Sequence, residues 1–170
     1  MPEWLNSRKL FCDFKRMQKT ELDEIDRRIL RVLHRDGRAS LQEIGRQVGL
    51  SSSPCWQRIK RMEESGVVAG YMARVDLAEV GYKDSVIVQL TLQHHSDAVL
   101  EEFEKALAEI PEVIEAYLVS GKYDYYVRIA VKDTRDYERL LREKLYQIPG
   151  IQHSVSTFVL RQLKANSLPI

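Results

Sequence analysis

The sequence predicts an α+β chain in two parts: an N-terminal winged helix-turn-helix of three helices over residues 20–75 and a C-terminal ferredoxin-like βαββαβ unit over 84–165, joined by a linker at 76–83. Three observations predict it. Apolar residues recur at helical spacing, with glycines at the corners, through the first part. Beyond Asp76, alternating and helical patterns follow in the order strand, helix, strand, strand, helix, strand, the split βαβ arrangement. Charge divides at the same boundary: residues 1–75 hold 15 Lys/Arg against 10 Asp/Glu, net +5, whereas 76–170 hold 11 against 15, net −4. A basic part suits a polyanionic partner and an acidic part does not.

Residues 1–19 form an extension without clean periodicity. Met17 could be the natural start, and Arg8, Lys9, Lys15 and Arg16 could touch phosphates or belong to a flexible tail. Leu22, Ile25, Ile29, Val32 and Leu33 then share one helical face, and Asp36-Gly37 ends that helix. Ser40-Leu41-Gln42-Glu43 reads as a capping box opening a second helix that runs to about Val48 and buries Leu41, Ile44 and Val48. Gly49 turns the chain and Leu50 plugs the corner. Ser51 is expected to cap a third helix, whose first turn tolerates Pro54. Cys55, Ile59 and Met62 face inward, Gly66 stops the helix, and Val67 to Asp76 has the character of a strand, the expected wing.

In the second part, Ser85 to Gln93 alternates, with Val86, Val88, Leu90 and Leu92 on one side and Ile87, Gln89 and Thr91 on the other. Leu100, Phe103, Leu107 and Ile110 form a helical stripe ended by Pro111. Strands are predicted at Val113–Val119 and Tyr125–Val131, joined by a turn over Ser120–Asp124. A helix carrying Tyr137, Leu140, Leu141, Leu145 and Ile148 precedes Pro149-Gly150, a last strand spans Ile151–Leu163, and 166–170 is a tail.

Two helices joined by a glycine turn, the second basic and polar on its outer side, suit a DNA groove. Between Arg38 and Met62 there are five Lys/Arg against Glu43 alone. Gln57 suits the donor–acceptor edge of adenine, Arg58 and Arg61 suit guanine or phosphate, and Ser51, Ser52 and Ser53 suit either. Arg38, Lys60 and Arg46 are the expected phosphate clamps, and Trp56 could pack under the helix or project to DNA sugars, with partial packing the favoured reading. A three-helix protein-interaction module is the alternative reading of the pattern alone.

Other classes find little support. Cys12 and Cys55 stand 43 positions apart with no CxxC, so neither a disulfide framework nor a structural metal is indicated. His94 and His95 lack a third ligand at suitable spacing, so no metal is expected. There is no Ser/His/Asp or Cys/His constellation and no phosphate loop, so the chain is not expected to be an enzyme. No run approaches the ~20 apolar residues of a membrane span, and no signal-peptide core opens the chain, so a cytoplasmic protein without a membrane partner is expected.

The stretch LDEIDRRILRVLHRDGRASLQEIGRQVGLSSSPCWQRIKRMEESGVVAGY resembles the DNA-binding half of the Lrp/AsnC, or feast/famine, regulators. VSGKYDYYVRIAVKD resembles the ligand-responsive signature of their second domain, and the similarity spans about residues 21–165. Gly45 departs from the alanine usual there, at a cost of about 1 kcal/mol in helix propensity. The resemblance implies a nucleoid-associated transcriptional regulator of amino-acid metabolism that binds double-stranded DNA. It also implies second domains that pair into dimers, often octamers, and bind a small amino acid between neighbouring dimers, with no cofactor.

The implied pocket has Ser120, Gly121, Asp124 and Tyr125 in the turn, with Tyr117, Thr134 and Thr157 nearby. Amides flanking a glycine can hold an α-carboxylate, and Asp124 can pair with an α-ammonium; alternatively Gly121 and Asp124 merely close a hairpin. PCWQR, QHHS at 93–96 and the closing SLPI resemble a cysteine-responsive branch. Leucine, methionine or another small apolar amino acid stays open as effector, as does a ligand-independent architectural DNA-binding protein.

Overall fold

A computed structural model describes residues 21–165 and 168–170, so the N-terminal extension and Cys12 lie outside the described residues. The chain divides into two compact units, one ending at Arg74 and including the residues from Lys164 onward, the other spanning Val75–Leu163. The C-terminal segment therefore belongs with the helical unit, where Arg31 Nε donates to the Ile170 carbonyl oxygen at 3.0 Å.

Helix α1 (Glu24–Arg35) opens with a reciprocal capping box absent from the sequence reading. Asp26 N donates to Asp23 Oδ1 at 2.8 Å, and Asp23 N donates back to Asp26 Oδ2 at 3.2 Å. Helix α2 (Leu41–Val48) has only half the box expected of it. Ser40 Oγ accepts from Glu43 N at 3.1 Å, but the Glu43 carboxylate turns outward to Arg46 at 2.7 Å. A neighbouring cation one turn on outcompetes a single backbone amide, because the charged pair forms the stronger hydrogen bond. Gly49 closes α2 with φ 79°, a left-handed conformation that glycine adopts without a Cβ penalty.

Helix α3 (Ser52–Glu64) has Ser51 as its N-cap, but that hydroxyl makes no capping bond, contrary to expectation. Ile29, Val32, Ile44, Val48, Cys55, Ile59 and Met62 form the core of this unit. Gly45 faces the α2–α3 corner so closely that an added Cβ would stand 2.4 Å from the Leu50 carbonyl oxygen. Leu50 N and Gly49 N both donate to the Gly45 carbonyl, so glycine here lets the corner fold down onto the helix.

The expected wing does not form: residues 67–76 carry no strand. Val67 and Val68 pack on the helical core and Tyr71 Oη donates to Glu63 at 2.8 Å, while Met72 is 96% exposed. A strand needs a partner ladder, and none of the described residues of this unit supplies one.

The second unit runs β1 (Asp84–Leu92), α4 (Asp97–Ala108), β2 (Val113–Leu118), β3 (Tyr125–Val131), α5 (Thr134–Glu143), a short 3-10 turn (Leu145–Gln147) and β4 (Ile151–Phe158). Its antiparallel sheet has the order β2-β3-β1-β4, the predicted ferredoxin-like topology. Val86, Val88, Leu90 and Leu92 meet Val127, Ile129 and Val131 on the face covered by Phe103, Leu107, Tyr137 and Leu140. The other face carries Ile87 opposite Arg128 and Thr157, and Gln89 opposite Tyr126 and Val155. Strand β4 stops at Phe158, not Leu163, because its partner β1 has run out: Val159 N still bonds Ser85 O, but Leu160 is 98% exposed.

Candidate functional sites

The helical unit presents α3 as a surface. Ser52, Ser53, Trp56, Gln57, Lys60 and Arg61 are exposed on it, and Arg38 and Arg46 are exposed on neighbouring segments. Ser51 at the helix start is exposed as well. The two arginines expected to meet guanine or phosphate also have carboxylate partners within the unit. Arg58 Nη1 donates to Asp23 Oδ2 at 2.6 Å and to Asp26 Oδ1 at 2.8 Å, and Arg61 Nη2 donates to Asp26 Oδ2 at 2.5 Å. Asp26 is fully buried, the one buried charged residue among those described. The carboxylates that cap α1 thus also fix α3 against it.

The Asp23 and Asp26 carboxylates hold Arg58 above its already high usual value, so it stays charged. Arg58 is only 27% exposed and acts first as a structural tie, whereas Arg61, at 50%, keeps a solvent-facing side. Arg46 is paired with Glu43 at 2.7 Å and remains 76% exposed. Trp56 is half-exposed, and Lys60 Nζ lies 5.1 Å from its ring centroid. Cys55 is buried, which pushes its thiol up and keeps it protonated.

In the second unit the Ser120–Asp124 turn sits at the end of the sheet where β1 terminates. Asp124 N donates to Leu90 O at 2.8 Å, and Leu92 N donates to Asp124 Oδ2 at 2.7 Å. His95 Nε2 lies 3.0 Å from Asp124 Oδ1. Asp124 therefore fastens the turn to β1, with its lone pairs not exhausted by these two partners. Gly121 has φ 134°, and open space surrounds the place a Cβ would take.

Tyr125, expected in the pocket, has its side chain in the core. It is 2% exposed, packs on Phe103 at 4.8 Å between centroids, and donates to Glu104 at 3.0 Å. Strand alternation dictates this: Tyr125 precedes Val127 and Ile129 by even steps, so it shares their helix-covered face. Burial, and then Glu104, push its hydroxyl far above the usual tyrosine range.

The other predicted pocket residues divide between the two ends of the sheet. Tyr117, Ser120, Gly121 and Asp124 stand at the turn end, whereas Thr134 opens α5 beyond Val131. The seven residues of β3 separate these ends by roughly 20 Å at ~3.4 Å per residue. Thr157 is on β4, the opposite edge strand from the one carrying Tyr117. One copy of the chain does not bring the two sets into one small-molecule site.

Asp124 is held below the usual carboxylate range: burial raises it, and the Leu92 amide and His95 imidazole more than offset that. A folded value below the unfolded one means the carboxylate stabilises the fold above its ordinary value of ~3.9 and loses that contribution as pH falls through the folded value. Asp124→Asn should therefore lower the unfolding midpoint at pH 7, the gap from wild type closing as the pH is taken below ~3.9. A gap of constant size across that range, measured by thermal denaturation, would contradict the assignment.

A three-helix DNA-reading unit joined to a ferredoxin-like unit with a glycine turn at the sheet end defines a transcriptional regulator of the helix-turn-helix class. Residues 22–63 match the AsnC-type helix-turn-helix domain and residues 85–169 the Lrp/AsnC ligand binding domain. The chain is 35% identical to the DNA-binding transcriptional activator DecR of Escherichia coli K12, across 88% of this chain and 99% of that one. It is 36% identical to the leucine-responsive regulatory protein of the same strain, across 91% and 94%. Among solved structures, the transcriptional regulator NMB0573 of Neisseria meningitidis, in complex with L-methionine, superposes with a TM-score of 0.83 at 30% identity, over 88% of this chain and 97% of that one. The chain belongs to the Lrp/AsnC family of DNA-binding transcriptional regulators.

Proposed function

We propose that the protein is a homo-oligomeric regulator of amino-acid metabolism genes, acting on nucleoid DNA, whose response to a small amino acid is built between subunits. The separation of Gly121 and Asp124 from Thr134 and Thr157 carries this reading. A second copy that brings its Thr134 end to the Gly121 turn completes a site that one copy leaves in halves. There the amides flanking Gly121 hold the α-carboxylate and Asp124 takes the α-ammonium. Tyr117, 56% exposed, and Ser120 border the same end, and Tyr125 contributes through its backbone.

The uncovered sheet face supports self-association. Tyr117, Tyr126 and Val155 are exposed on it, and Ser85 Oγ and Arg128 Nε are buried without hydrogen-bond partners. A second copy laid on this face would bury the apolar residues and add polar partners. Small apolar amino acids, cysteine among them, are the effector class. L-methionine is bound in the Neisseria relative and leucine names the Escherichia coli one.

On DNA, Arg38, Arg46, Lys60 and Arg61 are the phosphate contacts. Ser51, Ser52, Ser53 and Gln57 are the base-facing set, and Arg58 supports them from behind. Affinity for a promoter duplex should fall linearly with salt on logarithmic axes, with a slope of about −0.9 per phosphate neutralised. Arg38→Ala should flatten that slope by about 1 for each contact removed. Binding indifferent to salt in a filter or fluorescence titration would overturn the DNA reading. Full DNA binding with no response to any amino acid would favour a ligand-independent architectural role instead.

A further inference from the structure

Once Asp26 has engaged Arg58 and Arg61, a different set of α3 residues is left to meet a groove. Ser53, Trp56, Gln57 and Lys60 follow one another at i, i+3, i+4 and i+7, the spacing of one helical face, and all four are exposed. Three are polar or cationic. Trp56 is a large apolar ring at 50% exposure, and among the described residues no second aromatic ring stacks on it. Its cation–π partner Lys60, at 5.1 Å, lies one turn further along the helix and biases the ring toward the surface.

The first turns of a recognition helix are the part that approaches base edges. The major-groove floor offers hydrogen-bond donors and acceptors and a single apolar group, the C5-methyl of thymine. Ser53 and Gln57 match the polar groups, and an indole face matches the methyl. We propose that Trp56 is a specificity-determining residue that packs its indole on a thymine methyl in the major groove, with Lys60 directed from above the ring to an adjoining phosphate. This rests on the DNA-binding reading above.

The test uses the full-length protein and a preferred duplex selected from a randomised pool. Each thymine is replaced in turn by deoxyuridine, which removes one methyl and changes nothing else at the base edge. Wild type should lose about fourfold in affinity at one or more positions, the worth of one buried methyl. Trp56→Ala should bind more weakly overall, keep the wild-type salt slope and lose nothing further at those positions. Trp56→Phe should restore part of the discrimination. If no thymine-to-uracil change weakens wild type, or Trp56→Ala retains the same loss at every position, the proposal fails. It fails equally if Trp56→Ala alters the oligomeric state, since the ring would then belong to an interface between copies. Failure of wild type to select any duplex would overturn the DNA-binding reading itself.

Discussion

Replacing Asp26 by alanine is expected to destabilise the helical unit by about 2–4 kcal/mol, slightly under the usual loss for breaking a buried ion pair because both arginines retain some solvent contact. The carboxylate is fully buried and serves three donors: the Asp23 amide, Arg58 and Arg61. Its removal unpairs half of the α1 capping box, breaks the Arg61 ion pair and leaves Arg58 paired with Asp23. Asp26→Asn preserves shape and loses charge, so it should fall between wild type and alanine. Trp56 fluorescence during urea unfolding, in a Trp4→Phe background, reads this unit selectively. A loss under about 0.5 kcal/mol, the range of ordinary surface substitutions, would show that the network is ornamental. Arg58→Ala should share part of the loss, so weaker DNA binding in that variant reports on fold as well as on contact.

Gly121→Asp is expected to abolish the amino-acid response while leaving the helical unit folded. Gly121 adopts φ 134°, which L side chains rarely take, so the turn must rearrange even though no neighbour obstructs a Cβ. The new carboxylate would also stand where the proposed site receives the effector's own, and like charges repel there. Wild type at ~100 times the dissociation constant of an effector should gain about 2.7 kcal/mol of stability. The variant should gain none, with unchanged urea unfolding of the helical unit by Trp56 fluorescence. A variant that still responds would place the site elsewhere than the turn.

Much of this was legible in the sequence because periodicity is a strong signal where one face is buried. The alternation from Ser85 to Gln93 and the stripes through Phe103 and Leu140 forecast the sheet, its two covering helices and the core. The glycine at 49 and the cap at Ser40 located the helix-turn-helix corner. The missing wing was illegible for the opposite reason: Val67 to Asp76 has strand-forming residues, but pairing depends on a partner strand that local composition cannot reveal. Capping was misassigned for a related reason. Glu43 satisfies the sequence pattern, yet Arg46 one turn away captures it, while the box that does form uses Asp23 and Asp26.

The site residues show the same limit. Arg58 and Arg61 were visible as cations on the outer side of α3, but their partner Asp26 lies more than thirty residues earlier on another helix. Their engagement is a tertiary fact. Tyr125 falls within the ligand signature in sequence, yet strand parity sends its ring inward. Thr134 and Thr157 stand away from the turn within one chain, and only the family resemblance, not residue spacing, pointed to a site shared between subunits. Trp56 lay open between packing under the helix and projecting to DNA, and its half-exposed ring beside Lys60 agrees with the favoured partial packing.

The claim that the second unit senses an amino acid is tested most directly by thermal unfolding of the purified protein against each of the twenty amino acids at millimolar concentration, cysteine kept reduced. One amino acid, or a small related group, should raise the unfolding temperature of wild type, and the shift should vanish in Gly121→Asp. If none of the twenty moves wild type while promoter binding remains intact, the protein is not an amino-acid sensor.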